Sequence, residues 1–363
     1  MARLKKIGKW LGITVAVLLV VAGCFYGWAS WKSGAMFEEA YAAHEVDFPI
    51  PFALTDEEIE ALREERRAEA PEPEPPAVEA SGEVPAEAPV PQAEPEPEVD
   101  PLEGVDLDAL ALERAQARGR HLVEARYACI ECHGDDFSGG VMVDDPAIGT
   151  LLGPNLTGGN GSRVSEWTAA QWDQAVRHGI LPGGRASAMP AEDYQRMSDQ
   201  ELSDIIVYIR SFPAVDNQTA PPSFGPLGTV LFALGEIPLS AGKVDHEAAH
   251  PELPPEVANT VEFGEHLAGV CTGCHRATFE GGPVPGGPPD WLPASNITPH
   301  EDGLAGWEYD DFVVAMREMK RPDGSALGAP MTLMERYTAK MTDTELRALW
   351  TYIQSVEPRP TGT

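Results

Sequence analysis

The chain has 363 residues, 43% of them hydrophobic but only 7% aromatic, and its 58 acidic side chains against 26 basic ones give a net charge of −32. That length accommodates two or three ordinary domains. The charge excludes nucleic-acid binding, since so acidic a surface repels a polyanion, and it favours redox partners with basic docking surfaces.

Residues 1–9 form a basic tip with Arg3, Lys5, Lys6 and Lys9 and no acid. Residues 10–31 are apolar, edged by Trp10, Trp28 and Trp31, and long enough as a helix to cross a hydrocarbon core of roughly 30 Å. Basic residues before the run and Trp at its margins predict a single-pass anchor in a bacterial inner membrane, with the rest of the chain on the periplasmic side. Two other fates stay open. Val21-Ala22-Gly23-Cys24 resembles a lipoprotein processing site that would leave Cys24 acylated. Ala29-Ser30 is a poor signal-peptidase site after an apolar run this long.

Residues 32–67 are a juxtamembrane segment with one short helix from Asp56 to Arg67, opened by the capping box of Thr55 and Glu58. The composition then changes. Within residues 68–106, the stretch Ala68–Asp100 is Pro, Glu and Ala with scattered Val and has no Lys or Arg. Alternating proline and like charge predict an extended, disordered linker that holds the C-terminal two thirds of the chain away from the membrane.

Two five-residue stretches organise the remainder: Cys129-Ile-Glu-Cys132-His133 and Cys271-Thr-Gly-Cys274-His275. Cys-x-x-Cys-His is the attachment signature of haem c. Two thiols a helical turn apart each form a thioether with one vinyl group, and the adjacent His lies under the iron. A dithiol redox site or a zinc site needs no His directly after each pair. A four-cysteine zinc ribbon also puts only about 15–20 residues between its pairs, whereas here most of a domain intervenes. The reading is two covalently bound haem c groups. These motifs use four of the five cysteines, so no disulfide framework remains.

Superposing the motifs exposes an internal repeat. Unit one runs Gly119-Arg-His-Leu122, the motif, Gly139-Gly140, Gly153-Pro154-Asn155-Leu156-Thr157, Trp167, Met189-Pro190, Met197-Ser-Asp199, Glu201-Leu202 and Tyr208-Ile209. Unit two runs Gly264-Glu-His-Leu267, the motif, Gly281-Gly282, Ser295-Asn296-Ile297-Thr298, Trp307, Met331, Met341-Thr-Asp343, Glu345-Leu346 and Tyr352-Ile353, in the same order.

At these residues the chain resembles class I c-type cytochromes, and most of all the dihaem or trihaem cytochrome subunits of membrane-bound periplasmic dehydrogenases. The resemblance covers residues 107–357. It implies an all-α fold of two tandem class I cytochrome c domains, 107–215 and 256–363, joined by a connector at 216–255. Each domain opens with a helix, near Leu107–Ala125 and Val261–Val270. Each closes with another, near Asp199–Ser211 and Asp343–Ser355. In such cytochromes the two helices cross closely, which assigns Gly119 and Gly264 to the crossings, against Tyr208 and Tyr352. The connector's apolar stretch Leu227–Leu239 packs on a domain or faces a partner; the sequence does not decide.

The resemblance also implies the iron ligands. His133 and His275 are proximal, and a loop Met before the closing helix is distal: Met189 in unit one, with Met197 read as core. In unit two Met331 is favoured over Met334, with His300 as an outsider and Thr332 as the cap of a helix starting at Leu333. The Pro154 carbonyl is expected to accept the ring N–H of His133. In unit two Ser295 replaces the proline and keeps a carbonyl. Asn155, Thr157, Trp167, Asn296, Thr298 and Trp307 complete the cofactor-binding set, with the Thr and Trp side chains directed at haem propionates or, for the Trp pair, at ordinary packing. The implied function is an electron relay and not an enzyme. A dihaem peroxidase with one open axial site, or a subunit of a larger dehydrogenase or oxidase complex, are the alternatives.

Overall fold

The computed structural model describes residues 2–69, 100–284, 287 and 291–362, so the acidic linker expected at 68–106 lies mostly outside it. Helix α1, Ala2–Glu38, is continuous. Among the described residues it is the one helix long and apolar enough to cross a membrane. Its apolar side chains from Ile7 to Val21 are exposed, while Ala29 and Ser33 near its end are buried.

Helix α2 spans Asp56–Glu69 and opens on the expected box: Thr55 N–H donates to Glu58 Oε2 at 2.8 Å and Glu58 N–H to Thr55 Oγ1 at 3.2 Å. The segment leading to it is not a free stalk. Phe48 and Phe52 are buried in the core of the first haem-motif unit. Ser203 donates to the Pro49 carbonyl at 2.8 Å. Arg63 on α2 pairs with Asp100 at 3.3 Å. The spacer role expected of the acidic linker falls on residues outside those described. The aromatic side chains before it dock on the first unit.

Unit one is built from α3 (Leu107–His121), α4 (Cys129–His133), α5 (Ala169–Arg177) and α6 (Asp199–Arg210). A single π-helical turn, Leu122–Arg126, follows α3. Helix α6 starts on a full capping box between Ser198 and Glu201. Leu202, Ile206 and Ile209 face the core with Phe137, Trp172 and Met197. The purely helical expectation is corrected here. Strands β1 (Gly140–Asp145), β2 (Gly149–Gly153) and β3 (Ser223–Phe224) form a small antiparallel sheet in that order. Asp145 Oδ1 accepts from Ala147 N and Ile148 N at 2.8 and 2.9 Å, which closes the hairpin as an Asx turn.

The apolar connector stretch becomes α7, Pro226–Leu234. It packs against the end of α1, where Phe37 stacks on Phe224 at 5.0 Å and meets Phe232 edge-on at 5.4 Å. Unit two contains α8 (Val261–Ala268), α9 (Thr272–His275), α10 (Tyr309–Glu318), α11 (Glu335–Thr338) and α12 (Asp343–Ser355). Its core gathers Phe263, Leu267, Phe279, Phe312, Leu346 and Leu349. The helix expected to start at Leu333 under a Thr332 cap is instead a 3₁₀ turn, Met331–Met334, that runs into α11.

Both expected crossings exist, α3 on α6 and α8 on α12. A Cβ on Gly119 would lie 2.0 Å from the Asp204 carbonyl oxygen, and one on Gly264 would lie 2.1 Å from that of Ala348. Backbone cannot yield at such distances. These two glycines thus let the helices approach, which offsets the roughly 1 kcal/mol that glycine costs inside a helix.

Candidate functional site

Each Cys-x-x-Cys-His motif folds as a short helix, α4 or α9, directly after the unit's opening helix. The α4 backbone is hemmed in by glycine: a Cβ on Gly153 would fall 1.8 Å from the Cys132 carbonyl oxygen, and one on Gly140 would fall 2.6 Å from it. All four motif thiols are free of disulfides. Burial, followed by the neighbouring Cys132 thiol, pushes Cys129 up to about 12. Burial and the Glu131 charge push Cys132 up to about 11. Burial does the same to Cys271, again to about 12, and raises Cys274. A dithiol catalyst needs the opposite, a depressed thiolate. The four thiols suit covalent attachment and not exchange.

Burial also keeps both motif imidazoles neutral. His133 Nδ1–H donates to the Pro154 carbonyl at 3.1 Å, and His275 Nδ1–H to the Ser295 carbonyl at 2.8 Å. Replacing Pro by Ser in unit two has therefore kept the acceptor. In both units the bond fixes the tautomer and leaves the Nε2 lone pair available to a metal. Haem fits this donor set: two thiols and one oriented imidazole per unit, beside an apolar core.

Trp172 adds a second sign of fit. It is almost fully buried in the unit-one core, against which Cys129 packs, and its Nε1–H has no hydrogen-bond partner. A buried orphan donor is costly, and a haem propionate would satisfy it. Trp167, which the repeat pattern favoured, is only half-buried and meets Trp172 edge-on at 5.6 Å. The missed signal was the position of Trp172, the fourth residue of an α5 capped by Thr168. Unit two has Phe312 at the equivalent place, five residues after the half-buried Trp307.

The Asn and Thr pairs hold the chain that leaves each closing helix. Thr157 Oγ1 donates to Asn155 Oδ1 at 2.8 Å and accepts from Val215 N at 3.0 Å, while Asn155 Nδ2 donates to the Val215 carbonyl at 2.8 Å. In unit two Thr298 Oγ1 donates to Asn296 Oδ1 at 2.8 Å and accepts from Arg359 N at 3.2 Å. Asn296 Nδ2 donates to the Arg359 carbonyl at 2.7 Å. Both hydroxyls thus lock the chain that leaves the closing helix.

Met189 lies half-buried in the loop before the 3₁₀ turn Ala191–Asp193, and Met331 half-buried at the head of its own turn. Met334 is half-buried at the end of that turn, and Met197 is core. His300 Nδ1 accepts from Asp302 N at 3.1 Å in a local turn.

The two sites interlock. The turn after Met189 brings Asp193 onto Gly273, inside the unit-two motif, where a Cβ would meet Asp193 Oδ1 at 2.5 Å. Helix α11, after Met331, returns the contact: Tyr337 Oη donates to Glu131 at 2.7 Å, inside the unit-one motif, and Arg336 pairs with Asp135 at 2.7 Å.

Comparison with known proteins agrees with this geometry. Residues 114–209 match the family model described as cytochrome c oxidase, cbb3-type, subunit III, and residues 261–357 the one described as cytochrome c. The chain is 27% identical over 259 residues to the "Alcohol dehydrogenase (quinone), cytochrome c subunit" of Gluconacetobacter polyoxogenes, covering 64% of this chain and 54% of that protein. It is 26% identical to the "Gluconate 2-dehydrogenase cytochrome c subunit" of Pantoea cypripedii, covering 66% and 59%. It is 25% identical to a "Diheme cytochrome c-type" of Cereibacter sphaeroides, covering 63% and 81%. The chain thus spans about half the length of the first of these relatives.

Proposed function

For a chain that is a dihaem cytochrome c, with two covalently bound haem c groups in two cytochrome c domains, we propose that it relays single electrons as the cytochrome subunit of a membrane-bound dehydrogenase complex. The observation that carries this reading is the interlock. Each attachment motif touches the loop that follows the other domain's distal Met, so the two redox sites form one unit. The bound haems supply a reversible one-electron iron couple.

The residues do the rest. Cys129, Cys132, Cys271 and Cys274 tether; His133 and His275 ligate from one side, oriented by Pro154 and Ser295. Met189 and Met331 close the other side, and a Met/His pair raises the potential. Trp172 Nε1–H holds a propionate in unit one. Helix α1 anchors the chain in the inner membrane with the haem domains on the periplasmic side, and α7 sits beside its end. Where Cys24 is acylated instead, a lipid holds the same domains at the same surface. The acidic surface meets basic partner faces, so docking is fast and weakens with salt. The relatives' names support a dehydrogenase partner; the substrate class belongs to that partner.

Purification of the chain from membranes, followed by haem quantification, spectroelectrochemical titration and identification of bound subunits, tests the proposal. Two haems per chain, two one-electron steps and a co-purifying dehydrogenase subunit are expected. Peroxide turnover, or carbon monoxide binding without denaturant at one haem, would replace the relay by an enzyme with an open site.

A further inference from the structure

Away from the haem motifs, four histidines gather around a buried carboxylate. His44 comes from the segment after α1, Asp173 and His178 from α5 and its end, and His246 and His250 from the connector. The rings of His44, His178 and His250 lie 5.2–5.6 Å apart between centroids. One ring nitrogen of each falls within 4.8 Å of the others.

Their hydrogen bonds aim them. His44 Nδ1–H donates to the His246 carbonyl at 2.8 Å, which leaves its Nε2 bare. His246 Nε2–H donates to the Ala241 carbonyl at 2.8 Å, so its Nδ1 accepts from His178 Nδ1–H at 3.2 Å. That fixes His178 with a bare Nε2 as well. His178 Nε2 lies 3.2 Å from His250 Nε2 and 3.6 Å from Asp173 Oδ2. The His250 ring is also held by the Gln195 backbone.

Asp173 supplies the independent sign. It is fully buried, Arg177 engages only its Oδ1, at 2.6 Å, and its Oδ2 has no hydrogen-bond partner. Arg177 is itself neutralised by Asp199 at 2.8 Å. Two bare imidazole nitrogens and an unpaired carboxylate oxygen facing one another are unfavourable without a cation between them. Ligands about 2.0–2.1 Å from a tetrahedral zinc stand roughly 3.3 Å apart, close to the 3.2 and 3.6 Å measured here.

We infer that His44, His178 and His250 bind a divalent cation of the zinc class, with the buried Asp173 carboxylate beside them balancing its charge and His246 as the positioning residue that sets the His178 tautomer. Three imidazole donors beside a buried carboxylate suit zinc, which takes its fourth ligand from water. The ion clamps three distant stretches of chain: the residues after α1, the first haem domain and the connector. The site uses none of the haem ligands, so it stands or falls apart from the electron relay.

The test uses the untagged, haem-loaded full chain, stripped with chelator and titrated with Zn²⁺ against a competing indicator. One zinc per chain is expected beyond the two haem irons, with a nitrogen and oxygen shell free of sulfur by X-ray absorption and a higher melting temperature. His44→Gln and the double variant His44→Gln/His250→Gln should weaken binding at least tenfold and a hundredfold while leaving the haem spectrum unchanged. His44 comes from outside the domain core, so its variant keeps the test valid where the double variant does not fold. Absence of stoichiometric zinc, a sulfur-containing shell, or wild-type affinity in His44→Gln would each overturn the inference.

Discussion

His266 of the second domain places its Nε2 2.8 Å from Glu201 Oε1 of the first. The relationship is mirrored, since His121 Nε2 lies 2.8 Å from Glu345 Oε1. Both histidines occupy the same place in the repeat, two residues after the crossing glycine. Both glutamates are the third residue of a closing helix and cap it with the other oxygen: Glu201 Oε2 accepts from Ser198 N at 2.9 Å and Glu345 Oε2 from Thr342 N at 2.6 Å. Arg126 sits between them, 2.5 Å from Glu345 and 3.2 Å from Glu201. Each carboxylate thus starts its own helix and binds the opposite domain.

Arg126→Ala is expected to cost about 3 kcal/mol or more, because it removes a cation from between two buried carboxylates. Denaturant unfolding of the haem-loaded chain measures this. The wild type should unfold in one step across both domains, and the variant in two.

Acid should loosen the same interface. Burial pushes the Glu345 carboxyl up, but the His121 hydrogen bond and the Arg126 charge pull it further down, to about 2 against an ordinary 4.5. Glu201 is lowered for the same reasons, with His266 as its partner. A depressed carboxylate stabilises the fold above its unfolded value and loses that contribution as pH falls towards its folded value. Stability should therefore drop between about pH 4.5 and 2, by on the order of 3 kcal/mol for Glu345. In Glu345→Gln that slope should flatten, and an unchanged acid profile would argue against the pairing.

Gly119→Ala and Gly264→Ala each force a methyl group against backbone, at 2.0 and 2.1 Å from a carbonyl oxygen. The helices must separate, and a loss of about 1–3 kcal/mol is expected for each. Thermal unfolding checks this. Gly306→Ala is a contrasting control: nothing lies within 4 Å of its Cβ position, so only its positive φ of 82° penalises it.

Met189→Leu and Met331→Leu should each remove about half of the Met-to-iron charge-transfer absorbance of the oxidised protein and open one haem to carbon monoxide, as a change of axial ligand demands. Met334→Leu should alter neither. A full-strength band in Met331→Leu would move the ligand assignment to Met334.

Much of this architecture was readable from residue types because local chemistry and global fold agree. The attachment motifs, the capping boxes at Ser198 and Thr342 and the crossing glycines each impose their geometry within a few residues. What escaped depended on partners distant in the chain. The hairpin of β1 and β2 is closed by Asp145 and extended by Ser223–Phe224, far downstream. Thr157 and Asn155 also hold Val215, nearly sixty positions downstream, which nothing in their own segment announces. Phe48 and Phe52 stand in the juxtamembrane segment, far from the haem motifs in sequence, yet they complete a core whose other members begin with Leu122. His44 and His250 are isolated in sequence and acquire meaning only beside His178.

The meeting of Arg63 with Asp100 has a practical sequel. The contact joins positions on either side of residues 70–99 in the sequence, so a cut between residues 63 and 100 breaks the chain without breaking that contact. A protease nick there should leave the haem-bearing fragment gripped by Phe48, Phe52 and Pro49 of the other piece. The pigment would then stay with the membrane pellet after cleavage and leave it only under denaturant.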